Sequence, residues 1–178
     1  MKHSTIYWNL LLVLTYTVSC CCSFTVPTTT NIIKQRQRRQ EIMVKKYTPQ
    51  EQEAIDAVSF YGEMLNSENV DGVVEAYASD GVFYPYNLPT ASGSDEIRTS
   101  YTNIFQMIKL NVKFVYEDVI VNGDLATVIT SSAGKVFVKG PAIEAPEANR
   151  EVFVLKKVDG GKFKIAHYMF NKSEAPPS

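Results

Sequence analysis

An α+β domain, with three N-terminal helices packed in a strongly curved antiparallel sheet, is predicted by three features of the 178-residue sequence. Apolar residues recur at helical spacing between Ile55 and Ile108. After Lys109 they alternate, in four long runs broken by the turn sequences Asn122-Gly123-Asp124, Gly140-Pro141 and Asp159-Gly160-Gly161. No internal repeat is present. Helices and a single antiparallel sheet bury both apolar faces only if the sheet wraps around the helices. Long strands coil as they wrap, so one end of the resulting cone should stay open.

Each element has its own signal. Thr48-Pro49-Gln50-Glu51 supplies a hydroxyl N-cap, a proline at the first helical position and a glutamate placed to close a capping box. This starts a helix from about Pro49 to Asn66, with Ile55, Val58, Phe60, Tyr61, Met64 and Leu65 on its apolar face. Asn69 caps a second helix whose stripe is Val70, Val73, Val74 and Tyr77 and which Ser79-Asp80-Gly81 should stop. A first strand follows within Gly81–Gly93, where Phe83 alternates against Tyr84 and Tyr86 and Pro85 loosens or edges it, before a polar, turn-rich loop. A third helix begins at Ser94, with Asp95 and Glu96 in the first turn where the helix dipole favours acids. Leu110–Val121 and Leu125–Val138 read as one long hairpin, 140–146 as a loop, and Asn149–Val158 with Lys162–Asn171 as a second hairpin. The tail 173–178 reads as loose.

The N-terminal 46 residues differ from the rest. Lys2 and His3 precede the apolar run Ile6–Val18, and small residues at Cys21 and Ser23 mark a signal-peptidase site before Phe24, giving a signal peptide over 1–23. The run is too short and too interrupted by Asn9, Thr15 and Thr17 to hold a membrane. Residues 24–46 are rich in Thr and Arg and free of acids until Glu41, as in an organelle transit segment. A signal peptide followed by Phe, Pro and a basic stretch resembles the bipartite presequences of algae with complex plastids. The chain is thus expected to enter the secretory pathway, ending either secreted with a basic arm or in a complex plastid.

The remaining domain, 47–172, excludes several function classes. From Tyr47 onward eleven basic residues face eighteen acidic ones, a net charge near −7, with only Lys156 and Lys157 adjacent. Nothing there resembles a phosphate-binding stripe, so nucleic acid is not an expected partner, nor is a membrane once the signal is removed. Cys20, Cys21 and Cys22 all fall within the signal peptide, which leaves the mature protein without a disulfide or a thiolate. One histidine after His3 and no cysteine make no usual zinc site. With no Gly-rich phosphate loop either, no cofactor is expected.

The run SFYGEMLNSENVDGVVEAYASDGVFYPYNLPTASGSDEIRTSY, followed by VNGDLATV and REVFVLKKVDGGKFKIAHYMFN, resembles the SnoaL-like (DUF4440-type) branch of the nuclear transport factor 2-like (NTF2-like), ketosteroid isomerase-like superfamily. The resemblance covers Tyr47 to Asn171. It implies a cone with a hydrophobic pocket, commonly a homodimer through the outer sheet face, in a superfamily that holds isomerases, cyclases, dehydratases and non-catalytic binders. Fold therefore leaves function open. By that resemblance Tyr61 falls where the isomerases carry their oxyanion-donating tyrosine. The position of the isomerase base is taken by Tyr84, and the second acid falls near Val152 or Phe153, with Glu151 the closest carboxyl. One catalytic position of three survives, which rules out the usual ketosteroid isomerase mechanism.

Two other bases are open. Asp118 shares a strand face with Val112, Phe114, Tyr116 and Ile120, and an inward face would raise its pKa. The preferred alternative turns Val115, Val119 and Val121 inward, because charged groups are seldom buried without a partner. His167 shares a face with Phe163, Ile165, Met169 and Asn171, read as inward, and is either a base near neutral pH or a core or interface histidine. Ser131 or Ser132 as a nucleophile beside it has no elbow motif in support.

For ligand binding, tyrosines suit concave sites because each joins an apolar body to a polar tip. Tyr61, Tyr84, Tyr86, Asn87, Tyr101 and Phe105 form the expected pocket set, joined by Met169, Asn171 and Arg150, the last only if its strand face points inward. Arg150 and Glu151 lie on opposite faces, and VDGGK permits two hairpin registers, so which of them faces in is left open. The readings are a binding module for a small apolar or amphipathic molecule, a cofactor-independent isomerase, cyclase or dehydratase using His167 or Asp118, or a structural dimer built on Tyr168 and Phe170.

Overall fold

The computed structural model describes residues 47–158 and 160–174. The proposed signal peptide and transit-like segment, and the end of the tail, lie outside the described residues. Among those described, three helices lie against a curved six-stranded sheet. In chain order the elements are α1 (Pro49–Asn66), α2 (Val70–Ala76), β1 (Tyr77–Tyr84), β2 (Ala91–Ser92), α3 (Gly93–Met107), β3 (Ile108–Asn122), β4 (Leu125–Val138), β5 (Ile143–Lys157) and β6 (Phe163–Lys172). The sheet order is β2-β1-β6-β5-β4-β3, with β1 and β6 parallel and every other pair antiparallel. The expected α+β architecture is therefore the one observed. No helix among the described residues is long and apolar enough to cross a membrane.

α1 begins as its sequence dictates. The Glu51 amide donates to Thr48 Oγ1 (3.2 Å) and the Thr48 amide to Glu51 Oε2 (2.7 Å), closing the capping box. Such a cap stabilises a helix by about 1 kcal/mol. Ala54, Ile55, Val58, Tyr61 and Leu65 form its buried face. At its last residue, Asn66 imitates a peptide group: its Nδ2 donates to the Val112 carbonyl (2.8 Å) and its Oδ1 accepts from the Val112 amide (3.0 Å). The helix is thereby pinned to β3, the strand at the open edge of the sheet.

Three boundaries depart from expectation. α2 ends at Ala76, before Ser79-Asp80-Gly81, because Tyr77 already pairs with Ile165 of β6. The polar run becomes an irregularity inside β1, between the pairs Tyr77↔Ile165 and Val82↔His167. A Cβ on Gly81 would stand 2.9 Å from the carbonyl oxygens of Ala78 and Ile165, so the glycine permits that close approach. Second, α3 starts at Gly93, with Ser92 as N-cap; the Ser92 amide donates to Glu96 Oε2 (2.8 Å).

Third, the expected loop at 140–146 is mostly strand, since β5 starts at Ile143 and pairs with β4 from Ile143↔Val138 onward. Pro146 is tolerated because β6 reaches only Asn149, leaving the preceding part of β5 with an unpaired side.

The core is aromatic where helices meet sheet. Phe153 and Tyr168 stack with centroids 4.2 Å apart, Phe83 stacks on Tyr101 at 4.8 Å, and Tyr61 meets the edge of Tyr168 at 5.2 Å. Arrangements of this kind add roughly 0.5–1.5 kcal/mol per pair beyond burial alone.

Candidate functional site

Between α1, α3 and the concave sheet face, beside the aromatic core, lies a cavity of about 180 Å³. Its floor is Tyr61 and Tyr101, each 1% exposed, with Phe83 and Tyr168. Its mouth lies beside Pro85, Tyr86 and Leu88, the last two 44% and 46% exposed. Leu110, Val112 and Phe114 of β3 and Ile104 of α3 complete an apolar wall.

The opposite wall is polar. Inward-facing positions on β4 and β5 place Thr130 opposite Glu151 and Ser132 opposite Asn149, with Glu147 two residues beyond. Ser132, Glu147, Asn149 and Glu151 all line the cavity. Glu151, 2% exposed, accepts from Thr130 Oγ1 (2.6 Å) and Ser132 Oγ (2.5 Å). Burial pushes its carboxyl above the ordinary range, and the two hydroxyl hydrogen bonds only partly oppose this. Glu147 is ion-paired with Lys172 at the end of β6. Asn149 Nδ2 reaches Ser132 Oγ (3.4 Å), while its buried Oδ1 has no hydrogen-bond partner.

The floor carries a second network. Tyr61 Oη lies 2.8 Å from Tyr101 Oη, which lies 3.1 Å from Tyr77 Oη. Burial holds these phenols, and that of Tyr168, well above their ordinary pKa. They stay protonated at neutral pH, as hydrogen-bond donors set in an apolar floor.

Of the residues expected at the site, Tyr61, Tyr86 and Tyr101 line the cavity. Phe105 is buried in the core without reaching it, and Asn87, with φ 56°, turns the exposed loop beyond Tyr86. The others face away. His167, Met169 and Asn171 are exposed on the outer sheet face, and Tyr168 and Phe170 point inward in their place. The cause is a bulge in β6: Leu155 pairs with Ile165 while its neighbour Val154 pairs with His167, so Ala166 is an extra residue. Beyond it the period-two count inverts. Tyr84 follows His167 outward, its hydroxyl 3.4 Å from His167 Nδ1.

β3 holds a similar irregularity between Tyr116 and Asp118. Val112, Phe114 and Tyr116 face inward before it and Val119 and Val121 after it, so each earlier reading of this strand is right for one half. Asp118 stands off the inward face, with Oδ1 accepting from the Val119 amide (3.0 Å). Val115, by contrast, is 51% exposed. Arg150 is exposed on the outer face and Glu151 is the inward member of that pair. Ser131 also faces out, donating to Glu117 Oε1 (2.7 Å), and Ser132 donates to Glu151 on the inner face, so neither is brought to His167.

Asn149, Glu147 and Lys172 are site residues the sequence reading does not name as such, while Ser132 enters it only as a nucleophile and Glu151 only as the carboxyl nearest the second acid and a possible inward partner of Arg150. Their signal was available, since Glu151 shares strand parity with the large apolar Phe153 and Leu155. Among the described residues, no three His, Cys, Asp or Glu side chains gather as a metal site requires.

A match to the SnoaL-like domain spans residues 57–168, more than half of the chain. The chain belongs to the SnoaL-like family. Among solved structures, this SnoaL-like domain is similar to a ketosteroid isomerase-like protein from Erwinia carotovora atroseptica SCRI1043, with a TM-score of 0.69 and 24% identity, covering 72% of this chain and 99% of that one. It is also similar to an NTF2-like superfamily protein from Salmonella enterica serovar Typhimurium (TM-score 0.62, 12% identity, 71% and 93% covered). A third likeness is to ActVI-ORFA from Streptomyces coelicolor (TM-score 0.59, 14% identity, 70% and 98% covered). At such identities these likenesses establish the fold alone. No curated protein matches the sequence.

Proposed function

We propose that this SnoaL-like domain binds a small, partly apolar molecule in the cavity beneath the Tyr86 loop. The observation that carries the reading is the pairing of an aromatic and aliphatic wall with a short polar one, Ser132, Asn149 and Glu151, around a space of about 180 Å³. An enclosed apolar cavity of roughly 150 Å³ accommodates benzene, so the bound part is about one ring in size. The expectation of a tyrosine-lined pocket carries over to Tyr61, Tyr86 and Tyr101, but not to Tyr84. An NMR titration with toluene tests it: saturable shifts at Leu65 and Val112 are expected, and Leu110→Trp, which fills the space, should abolish them. An absence of shifts in the unaltered protein would defeat the reading.

A second reading, a cofactor-independent isomerase, cyclase or dehydratase, is favoured by one observation. Glu151 is a buried carboxyl of raised pKa facing the cavity, as a general acid or base must be. It takes the role once expected of His167 or Asp118. Deuterium exchange at the α-carbon of cyclohexanone, lost in Glu151→Gln, is the expected signature.

We further propose a homodimer through the outer sheet face. Ile129, Val152 and Met169 stand side by side on three neighbouring strands, 39%, 43% and 49% exposed. Met169→Glu should leave a monomer in sedimentation. For the destination of the chain, we propose entry into the secretory pathway on the evidence of 1–46, with a reporter fused to that segment separating secretion from plastid delivery.

A further inference from the structure

The polar wall of the cavity is short of hydrogen-bond donors. Thr130 and Ser132 each give their hydroxyl hydrogen to Glu151, and Asn149 gives an amide hydrogen to Ser132. Apart from the second amide hydrogen of Asn149 and the Lys172 ammonium, which Glu147 holds, this sheet wall offers a guest lone pairs: those of Glu151 and the unpartnered Oδ1 of Asn149, a side chain 8% exposed. The opposite orientation of the Asn149 amide would set its oxygen against Ser132 Oγ, whose hydrogen is already given to Glu151, so two acceptors would face each other. The network itself fixes Oδ1 as the end of the amide left without a partner, on a residue that lines the cavity.

Charge adds a second constraint. Lys172 is paired with Glu147, and among the described residues no cation lies within ion-pair distance of Glu151. A buried carboxylate without a counter-cation is costly. The cavity around it is walled by the rings of Tyr61, Phe83, Phe114, Tyr168 and Phe170. Aromatic faces attract cations, and more strongly where water is excluded.

We infer that the molecule held here is a small amine, its protonated nitrogen donating to Glu151 and Asn149 Oδ1 and its apolar body lying against the aromatic wall. An ammonium group supplies both the missing charge and up to three donors. A neutral alcohol supplies one donor and no charge, and a ketone or carboxylate set against Glu151 and Asn149 Oδ1 would present acceptors to acceptors. The inference rests on the cavity reading above, and narrows it to one chemical class.

Four single-ring probes separate the two: benzylamine, benzyl alcohol, toluene and benzoate, titrated into the unaltered domain at pH 8 by NMR. Benzylamine is expected to bind at least about tenfold more tightly than benzyl alcohol or toluene, and benzoate not at all. In Glu151→Gln that preference should disappear while toluene binding is kept, and Asn149→Ala should reduce it in part. Toluene or benzyl alcohol binding as tightly as benzylamine would overturn the amine inference and leave the cavity reading standing. If none of the four binds, both fall. The comparison among probes uses the unaltered protein, so it decides the matter even if a variant does not fold.

Discussion

Ser132 Oγ and the Glu151 carboxylate, 2.5 Å apart on neighbouring strands, form the centre of the polar wall of a cavity otherwise lined mostly by apolar and aromatic side chains. Thr130 bonds the other carboxylate oxygen, so both acceptors of a group 2% exposed are engaged. These bonds favour the ionised form and burial opposes it, and burial is the larger effect.

A pH dependence of stability follows. Because the Glu151 pKa is raised on folding, the folded protein holds this proton in a window where the unfolded chain has released it. Stability contributed at this site is therefore highest below the ordinary glutamate range and declines as pH rises through the folded pKa. Glu151→Gln, which copies the protonated acid, should match the unaltered protein in thermal unfolding near pH 4 and exceed it near pH 8. An equal difference at both pH values would show that burial of the charge is not the cause.

Tyr101 is the middle member of the floor network, bonded to both Tyr61 and Tyr77. Removing its hydroxyl takes one hydrogen bond from each of two buried phenols, Tyr61 and Tyr77, while the ring packing on Phe83 is kept. Tyr101→Phe is expected to cost about 1–3 kcal/mol in urea unfolding. Tyr86→Phe at the exposed mouth should cost within about 0.5 kcal/mol.

The helices and the long hairpins were legible because their signals are local. Thr48 and Glu51 cap α1 as read, and β4 spans Leu125–Val138 as read. Legibility failed where the period-two rule was carried across a bulge. Nothing in Phe163–Asn171 announces that Ala166 is an extra residue, because the irregularity arises in pairing with both β5 and β1. One uncounted residue moved His167, Met169 and Asn171 to the outside and brought Tyr168 and Phe170 in. Asp118 is the same case on β3. The inward polar row on β5 was hidden for a different reason: Pro146 marks a loop unless one knows that β5 has only one partner there.

His167 supplies a check on that correction. It is exposed, and its ring nitrogen meets only the Tyr84 hydroxyl at 3.4 Å in the described contacts. His167→Ala should change stability by no more than about 0.5 kcal/mol and leave toluene binding unaltered. A large loss of binding would mean that β6 is inverted relative to this structure.

β3 and β4 approach each other closely at Gly134. It pairs with Val112 on β3, and a Cβ placed on it would stand 2.0 Å from the Asn111 carbonyl oxygen and 2.8 Å from Val112 Cα. Both neighbours are backbone, so no side chain can swing aside to make room. Gly134→Ala must push β3 away from β4 beside Val112, the residue held by Asn66. Overpacking of this kind costs about 1–3 kcal/mol or more, and the displaced β3 should widen the cavity at Leu110 and Val112. Gly140 is the control, because a Cβ there meets nothing within 4 Å. Gly140→Ala should leave the urea midpoint unchanged or slightly raised, by at most about 1 kcal/mol. If Gly134→Ala were equally harmless, the close approach of β3 at this position would not be one the fold requires.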